Sequence, residues 1–346
     1  MIYTLNPLSD PRWEEFINRT PRASVFHTSG WLRALLQTYH YSPIVLTTTP
    51  PDRPLENGTV FAIVKSWLVG PRLISLPFSD YVDPLMNTDE NLAELLTGLQ
   101  EDQRAGRWRK VELRPGVTKS NPHWPPFHDG QSFVLQKVDL RPGLDEVFSS
   151  FHRDSIRRKI RKAERSDIVE EVGRSDRLLQ QFFALHVMTR KRQSLPPPPL
   201  AWFRNILTHL GENVKIRIAL KDGGPIAAIM TLRFKETAVY KYGCTNKFFH
   251  NLGAMPLLLW NAMKEEYQSG AREFDLGRSD PENEGLITFK QKLGAQRAAV
   301  AYKVFPEEQR VNKAQDWRMV WAKKLFNLLP RKVFVFAGSR IYPHIG

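Results

Sequence analysis

Apolar positions recur along this chain with two periods. Val214–Lys221, Pro225–Phe234 and Thr237–Gly243 are runs rich in Ile, Val, Ala and aromatic residues, and Asp222-Gly223-Gly224 supplies turn chemistry between the first two, so three successive strands are predicted. Leu257, Leu258, Trp260 and Met263 fall at helical spacing and predict a helix over Met255–Tyr267. The same spacing predicts helices over Asp176–Thr189, through Leu178, Leu179, Phe182, Phe183 and Leu185, and over Asn91–Ala105, through Leu92, Leu95, Leu96 and Leu99.

The earlier part of the chain reads as a first α/β unit. Helices are predicted at Pro11–Arg19 and Gly30–Tyr39, the second capped by Thr28 or Ser29, whose hydroxyl can accept a first-turn N–H. Strands are predicted at Ser42–Thr48, Thr59–Val69, Arg72–Leu76, Trp108–Leu113 and Ser132–Val138. A second unit opens near Arg141-Pro142-Gly143 with helices at Leu144–Phe151 and Asp154–Glu164 and a strand at Ile168–Val172. Pro196–Pro199 forces an extended break before a helix at Ala201–Leu210. Both units follow one outline of helices, a β-meander, a helix, a strand and a closing strand, without a residue-level repeat. The expected class is α/β (α+β), each unit a mixed, mostly antiparallel sheet flanked by helices. The expected domains are 1–140, 141–305 and a basic amphipathic tail at 306–346.

Composition narrows this picture. The 346 residues carry 42% hydrophobic positions, enough for two packed cores. The lone Cys244 leaves no internal disulfide and no thiolate-built metal site, and no metal site is expected. The opening MIYTLNPLSDPRWEEF has no basic-then-apolar leader pattern, so a cytoplasmic protein is expected. Fifty Lys and Arg against 36 Asp and Glu give a formal charge of +14. That charge favours polyanionic partners: tRNA, a nucleotide-sugar diphosphate, a lipid-linked pyrophosphate or an anionic membrane face.

Candidate chemistry concentrates between Val239 and Gln296. Phe249-His250-Asn251-Leu252-Gly253-Ala254-Met255 is a Gly-containing turn into a helix, where backbone N–H groups and the positive helix end can receive a phosphate; Asn251 and Gly253 are the candidate residues. The same turn is equally a helix start packed on a sheet, with Pro256 at an early position. Asp275-Leu276-Gly277-Arg278-Ser279 ends a strand. Arg278 there can clamp a phosphate or carboxylate or make a surface ion pair. Asp275 and Tyr242 are candidate general bases. Phe289-Lys290 follows the polar loop Asp280–Gly285, and a lysine there can neutralise a developing oxyanion. Upstream, RDSIRRKIRKAER (residues 153–165) places Ile156, Ile160 and Ala163 on one helical face and Arg157, Arg158, Arg161, Lys162 and Arg165 on the rest.

Taken in order, several segments resemble the FemAB-like branch of the GNAT superfamily, including the domain called BioF2-like or type-6 acetyltransferase. In the first unit these are Phe26-His27-Thr28-Ser29-Gly30-Trp31, Leu76-Pro77-Phe78-Ser79-Asp80-Tyr81 and Val111-Glu112-Leu113-Arg114. In the second they are Arg157–Ala163, Tyr242-Gly243-Cys244, Gly253–Trp260, Phe274–Ser279 and Phe289–Ala295. The resemblance implies tandem GNAT-like domains. It also implies an acyltransferase that moves an acyl or aminoacyl group from acyl-CoA or aminoacyl-tRNA to an amine or hydroxyl of a cell-envelope or exopolysaccharide precursor. The donor would be a co-substrate, with no tightly bound cofactor. On this resemblance the family's Phe-Lys pair falls on Phe289 and Lys290, its phosphate-binding arginines on Arg157 and Arg161, and Pro196–Pro199 on a surface loop acting as a lid.

The sequence departs from the family at the phosphate turn, where only the first glycine of the acetyl-CoA signature stands, and after Tyr81, where Val82-Asp83 replace glycines. It also lacks the long coiled-coil insert of tRNA-using members. Trp317, Val320, Trp321, Leu325 and Leu328 with Lys323, Lys324, Arg331 and Lys332 form a basic amphipathic segment suited to the inner face of an anionic membrane. A monomer is expected. The competing reading is a non-catalytic scaffold that keeps the fold and binds nucleic acid or a membrane surface.

Overall fold

The structure is a computed structural model that describes residues 1–66, 70–117, 124–307 and 329–345. The chain divides into two compact units. The first comprises Met1–Phe133, Ala299–Asp316 and Ser339–Gly346, and the second Val134–Ala298 and Trp317–Gly338. Both are mixed α/β with mostly antiparallel strand pairing, as the sequence predicts.

In the first unit the strands are β1 (Tyr3–Leu5), β2 (Ser42–Thr47), β3 (Thr59–Ser66), β4 (Gly70–Ile74) and β5 (Lys110–Leu113), joined by parts of β6 (His128–Asp139) and β12 (Gln296–Phe305). Their order is β1-β2-β3-β4-β5-β12-β6. Helix α1 (Pro11–Arg19) begins where Asp10 accepts the Arg12 N–H at 3.1 Å and buries Trp13, Phe16 and Ile17. Helix α2 (Ser29–Tyr39) is capped by Thr28, whose Oγ1 accepts the Trp31 N–H at 3.4 Å, and it stops at His40 in the left-handed region (φ 59°). Helix α3 (Asp89–Arg104) buries the predicted Leu92, Leu95, Leu96 and Leu99. Glu112 and Arg114 at the end of β5 form a buried ion pair at 2.8 Å, and Arg114 lies over the Tyr302 ring.

In the second unit the strand order is β6-β11-β10-β9-β8-β7, with β7 (Ile168–Gly173), β8 (Val214–Lys221), β9 (Gly224–Phe234), β10 (Thr237–Thr245) and β11 (Glu273–Ser279). Helix α4 (Leu144–Ser150) is followed by a π-turn at Arg153–Arg157 that runs into α5 (Arg158–Glu164), so the predicted Asp154–Glu164 helix is wound more loosely in its first turn. Helices α6 (Asp176–Arg192), α7 (Leu200–Leu210), α8 (Ala254–Gln268) and α9 (Glu284–Lys292) complete the chemistry-bearing part, and α10 (Arg331–Ile345) ends the described chain. The face predicted from Ile156, Ile160 and Ala163 is buried in one core with Leu257, Leu258 and Met263 of α8 and Ala227, Ile229 and Ala238 of the sheet. Burying each isoleucine contributes about 1.5–3 kcal/mol, which is what holds an arginine-rich helix against the sheet.

The lid expected of Pro196–Pro199 is not what the structure contains. Pro197 and Pro198 are buried, the Pro196 carbonyl accepts from Arg190 Nε at 3.1 Å, and Pro199 starts α7. A Cβ on Gly338 would collide with the Pro197 carbonyl, so the run is packed in place. Proline lacks an N–H and so can be buried without leaving a donor unpaired. Of the amphipathic tail, Trp317, Val320, Trp321, Lys323, Lys324, Leu325 and Leu328 lie outside the described residues, while Arg331 and Lys332 are exposed in the first turn of α10.

Candidate active site

Strands β10 and β11 are parallel neighbours, yet they share only Thr237↔Glu273, Ala238↔Phe274 and Val239↔Asp275. Beyond that pair each strand takes on an extra residue. On β10, Tyr240 faces Thr231 and Tyr242 faces Met230, which leaves Lys241 as a bulge against β9. On β11, Asp275 faces Lys137 and Arg278 faces Leu135, so three steps along β11 match two along β6, and the excess falls at Leu276-Gly277. A bulge turns the strand that carries it. With both strands bulged just past their last shared pair, the residues from Tyr240 and from Leu276 onward no longer pair with one another, and β10 and β11 part within the second unit.

Three predicted site residues meet at the β11 bulge. Asp275 is fully buried, and its Oδ1 accepts the Gly277 N–H at 2.7 Å. Gly277 sits at φ 70°, a conformation that costs glycine little. Lys290, on α9, is 2% exposed, and its Nζ donates to the Gly277 carbonyl at 2.8 Å and to the Arg278 carbonyl at 3.3 Å. Arg278 is half-buried beside them. Helix α9 is placed by Asn283, which caps the Leu286 N–H at 3.2 Å, and by Gln136 of β6. Gln136 is fully buried, donates to the Ile287 carbonyl at 2.9 Å and receives Ser279 Oγ at 3.4 Å. Phe289 is partly buried and packs against the hydrophobic core that includes Leu257, Leu258 and Met263 of α8.

A second cluster forms around α5. Arg153, Arg157, Arg158, Arg161, Lys162 and Arg165, with Asp154 and Ser166, line a concavity of about 760 Å³. No described carboxylate makes an ion pair with Arg157, Arg158 or Arg161, and the buried Nε of Arg157 has no acceptor. A buried guanidinium donor without a partner is costly and is relieved by an anion. Asn251 and Gly253 adjoin this cluster without lining the concavity. Lys162 Nζ donates to the Asn251 carbonyl at 3.2 Å, and a Cβ on Gly253 (φ 77°) would lie 2.5 Å from the Lys159 carbonyl. The start of α8 is therefore pressed against α5, with no side-chain cap on its first N–H groups.

Tyr242 stands apart from both clusters. Its hydroxyl accepts the Trp202 Nε1–H at 2.8 Å, and its ring meets Phe203 and His186 edge-on. His186, which the sequence does not single out, packs beside Tyr242. It is buried against Phe182 and Phe203, neither ring nitrogen has a partner, and burial, then Arg190, brings its pKa from 6.5 to about 3. Lys137 was also missed; it pairs with Glu273 at 2.8 Å and approaches Asp275 Oδ2 at 3.8 Å. The signal for Lys137 is its register opposite Asp275, which only the sheet reveals. Cys244 is buried, with burial raising its thiol pKa, so it is inert.

A pair of parallel strands opening beside a strand-to-helix turn is the architecture of the GNAT acyltransferase class, and residues 150–291 match the family model for the acetyltransferase (GNAT) domain. Among solved structures the chain is similar to FemX, with a TM-score of 0.69 at 14% identity over 92% of this chain and 99% of that one. It is also similar to a tandem GNAT protein from the clavulanic acid biosynthesis pathway (TM-score 0.55, 10% identity, 89% and 99% covered). L-PGS from Bacillus licheniformis gives a TM-score of 0.55 at 14% identity over 92% and 97%. No curated protein sequence matches the chain. The resemblance read from the sequence is thus borne out at the level of fold: the fold is similar to that of FemX, and residues 150–291 match the GNAT domain model.

Proposed function

We propose that this protein is an acyltransferase that moves an acyl or aminoacyl group from acyl-CoA or aminoacyl-tRNA to an amine or hydroxyl of a cell-envelope or exopolysaccharide precursor. The observation that carries this reading is the opening of β10 from β11 past Val239 and Asp275, with both strands bulged at that point. The match of residues 150–291 to the GNAT domain supports it. So does the unpaired arginine cluster, because both donors and nucleotide-linked acceptors carry phosphates.

In this reading Arg157 and Arg161 hold phosphate, the α8 start with Gly253 and Asn251 borders that site, and Arg278 meets a carboxylate or phosphate at the other wall. Asp275 and Lys290 act through the bulge. Their polar atoms grip the backbone on either side of Gly277, which fixes the wall against which the acyl carbonyl is held. Transfer then rests on positioning the nucleophile against an activated carbonyl and on stabilising the oxyanion.

The test is a purified-protein incubation with acetyl-CoA, longer acyl-CoAs, charged tRNA and a UDP-linked muropeptide, read by mass spectrometry. Transfer from a CoA donor assigns it to small-acyl transfer. Transfer only with charged tRNA and muropeptide assigns it to peptidyl transfer. No transfer and no binding of any of these contradicts the proposal.

A further inference from the structure

Large apolar side chains left exposed on the second unit are not scattered. Among the described residues, five of the nine most exposed belong to three neighbouring segments: Met188 and Leu195 at the end of α6, Phe248 in the turn after β10, and Val333 and Phe336 on α10. The segments touch one another. Lys191 Nζ donates to the Leu329 carbonyl at 3.1 Å, and Pro197 packs on Gly338, joining α6 to α10. Arg192 donates to the Thr245 carbonyl at 3.2 Å, and Thr245 Oγ1 meets His250 Nε2 at 2.7 Å, joining α6 to the turn that carries Phe248.

Cations are interleaved with these side chains: Lys191, Arg192, Lys247, Arg331 and Lys332. Stretches 177–211, 237–264 and 329–345 contain no Asp or Glu at all. On α10 the division is by face. Lys332, Val333 and Phe336 form an exposed stripe, while Phe334 and Gly338 face inward. Phe248 is 76% exposed and Phe336 60%, which is costly for aromatic rings facing water.

We infer that this surface is an interfacial docking site for an anionic lipid bilayer. Basic side chains without acidic neighbours match the charge of the lipid headgroups, and apolar tips among them can enter the headgroup boundary. The aliphatic character of Met188, Leu195 and Val333 separates this from a nucleic-acid site, where flat aromatic platforms stack on bases. Among the described residues no helix is long and apolar enough to cross a membrane, so attachment through this face would be peripheral. The inference does not depend on the acyltransferase reading, and its test reads no catalysis.

The experiment is co-sedimentation of the full chain with phosphatidylcholine vesicles, with and without phosphatidylglycerol. The protein should pellet only with the anionic vesicles and be released as salt rises. Lys191→Gln and Lys332→Gln should each weaken partitioning on the order of fivefold. Phe248→Ser with Phe336→Ser should weaken it about tenfold or more, with the circular dichroism spectrum and Tm unchanged because both rings are exposed. No pelleting with anionic vesicles overturns the inference. It is equally overturned if the serine double variant pellets like wild type while the glutamine variants fail and RNA competes, since the surface then reads polyanions and not lipid.

Discussion

The Nζ of Lys290 lies 2.8 Å from the carbonyl oxygen of Gly277, a residue thirteen positions earlier whose own N–H is held by Asp275. One buried ammonium and one buried carboxylate therefore grip opposite sides of a single glycine. Lys290→Met would leave the Gly277 and Arg278 carbonyls without their donor, at a cost of about 1.5–3 kcal/mol. Urea unfolding should show a free energy of unfolding lower by that amount, seen as a lower midpoint at unchanged m. In addition, kcat should fall more than KM changes, because the altered wall misplaces the acyl group. Unchanged kcat in a destabilised protein would show that the bulge serves the fold alone.

Asp275→Asn tests the same grip from the other side. The amide oxygen can still accept the Gly277 N–H, but the charge facing Lys137 is lost. If Asp275 acts by shaping the bulge, transfer should fall less than about tenfold, whereas loss of a general base removes about a hundredfold or more. Rate measurements on Asn and Ala variants separate these outcomes.

Gly253 is pinned by its φ of 77° and by the Lys159 carbonyl, which would stand 2.5 Å from any Cβ. Gly253→Ala should cost about 1–3 kcal/mol, measurable by urea denaturation, because both backbone strain and a backbone contact oppose it. Tolerance of alanine there would mean that α5 and α8 are not seated as described.

The arginine concavity makes a prediction about affinity. Arg157→Ala and Arg161→Ala should each weaken binding of a phosphate-bearing substrate about tenfold or more, since a charge-assisted hydrogen bond is worth about 1.5–3 kcal/mol. Calorimetry on each variant checks this. Stability should hardly change at exposed Arg161 and should rise slightly in Arg157→Ala, which removes the unpaired buried Nε.

Acid sensitivity should come in part from Glu112. Burial pushes its pKa up, but Arg114 and Lys110 outweigh burial and hold it at about 2, below its ordinary 4.5. A depressed carboxylate contributes stability that is present above pH 4.5 and is lost as pH falls toward 2. Glu112→Gln should flatten the stability profile in that window. It should also lower stability at neutral pH by about 3–5 kcal/mol, because Arg114 would stay buried without its partner. Urea titrations at several pH values give both quantities.

What was legible in the sequence follows from which forces are local. The buried face of α5 could be read because Ile156, Ile160 and Ala163 repeat at helical spacing, and α8 because its apolar run starts after a glycine. The chemistry at Asp275–Arg278 could be read as a strand end beside a glycine. That it is a bulge could not, because the extra residue is defined only against Leu135 and Lys137 of β6, far away in the chain. The direction of Lys290 was hidden for the same reason, and so was the role of Gln136, whose partners are Ser279 and Ile287. His186 reads in sequence as one more position on a helix; its isolation among Phe182, Phe203 and Tyr242 is a tertiary fact. The extended break at Pro196–Pro199 is legible, but its burial is not: the surface lid follows from the family resemblance alone, and the lack of N–H groups that breaks a helix also permits burial.

Acyl transfer from a phosphate-bearing donor where β10 and β11 part is what all of these variants probe. The most direct measurement is single-turnover transfer by wild type and Lys290→Met under the donor and acceptor panel, with products followed by mass spectrometry. Wild type should give an acylated acceptor, and the variant a rate lowered at least about tenfold at saturating donor. Absence of product with every donor, or equal rates in the two proteins, would contradict it.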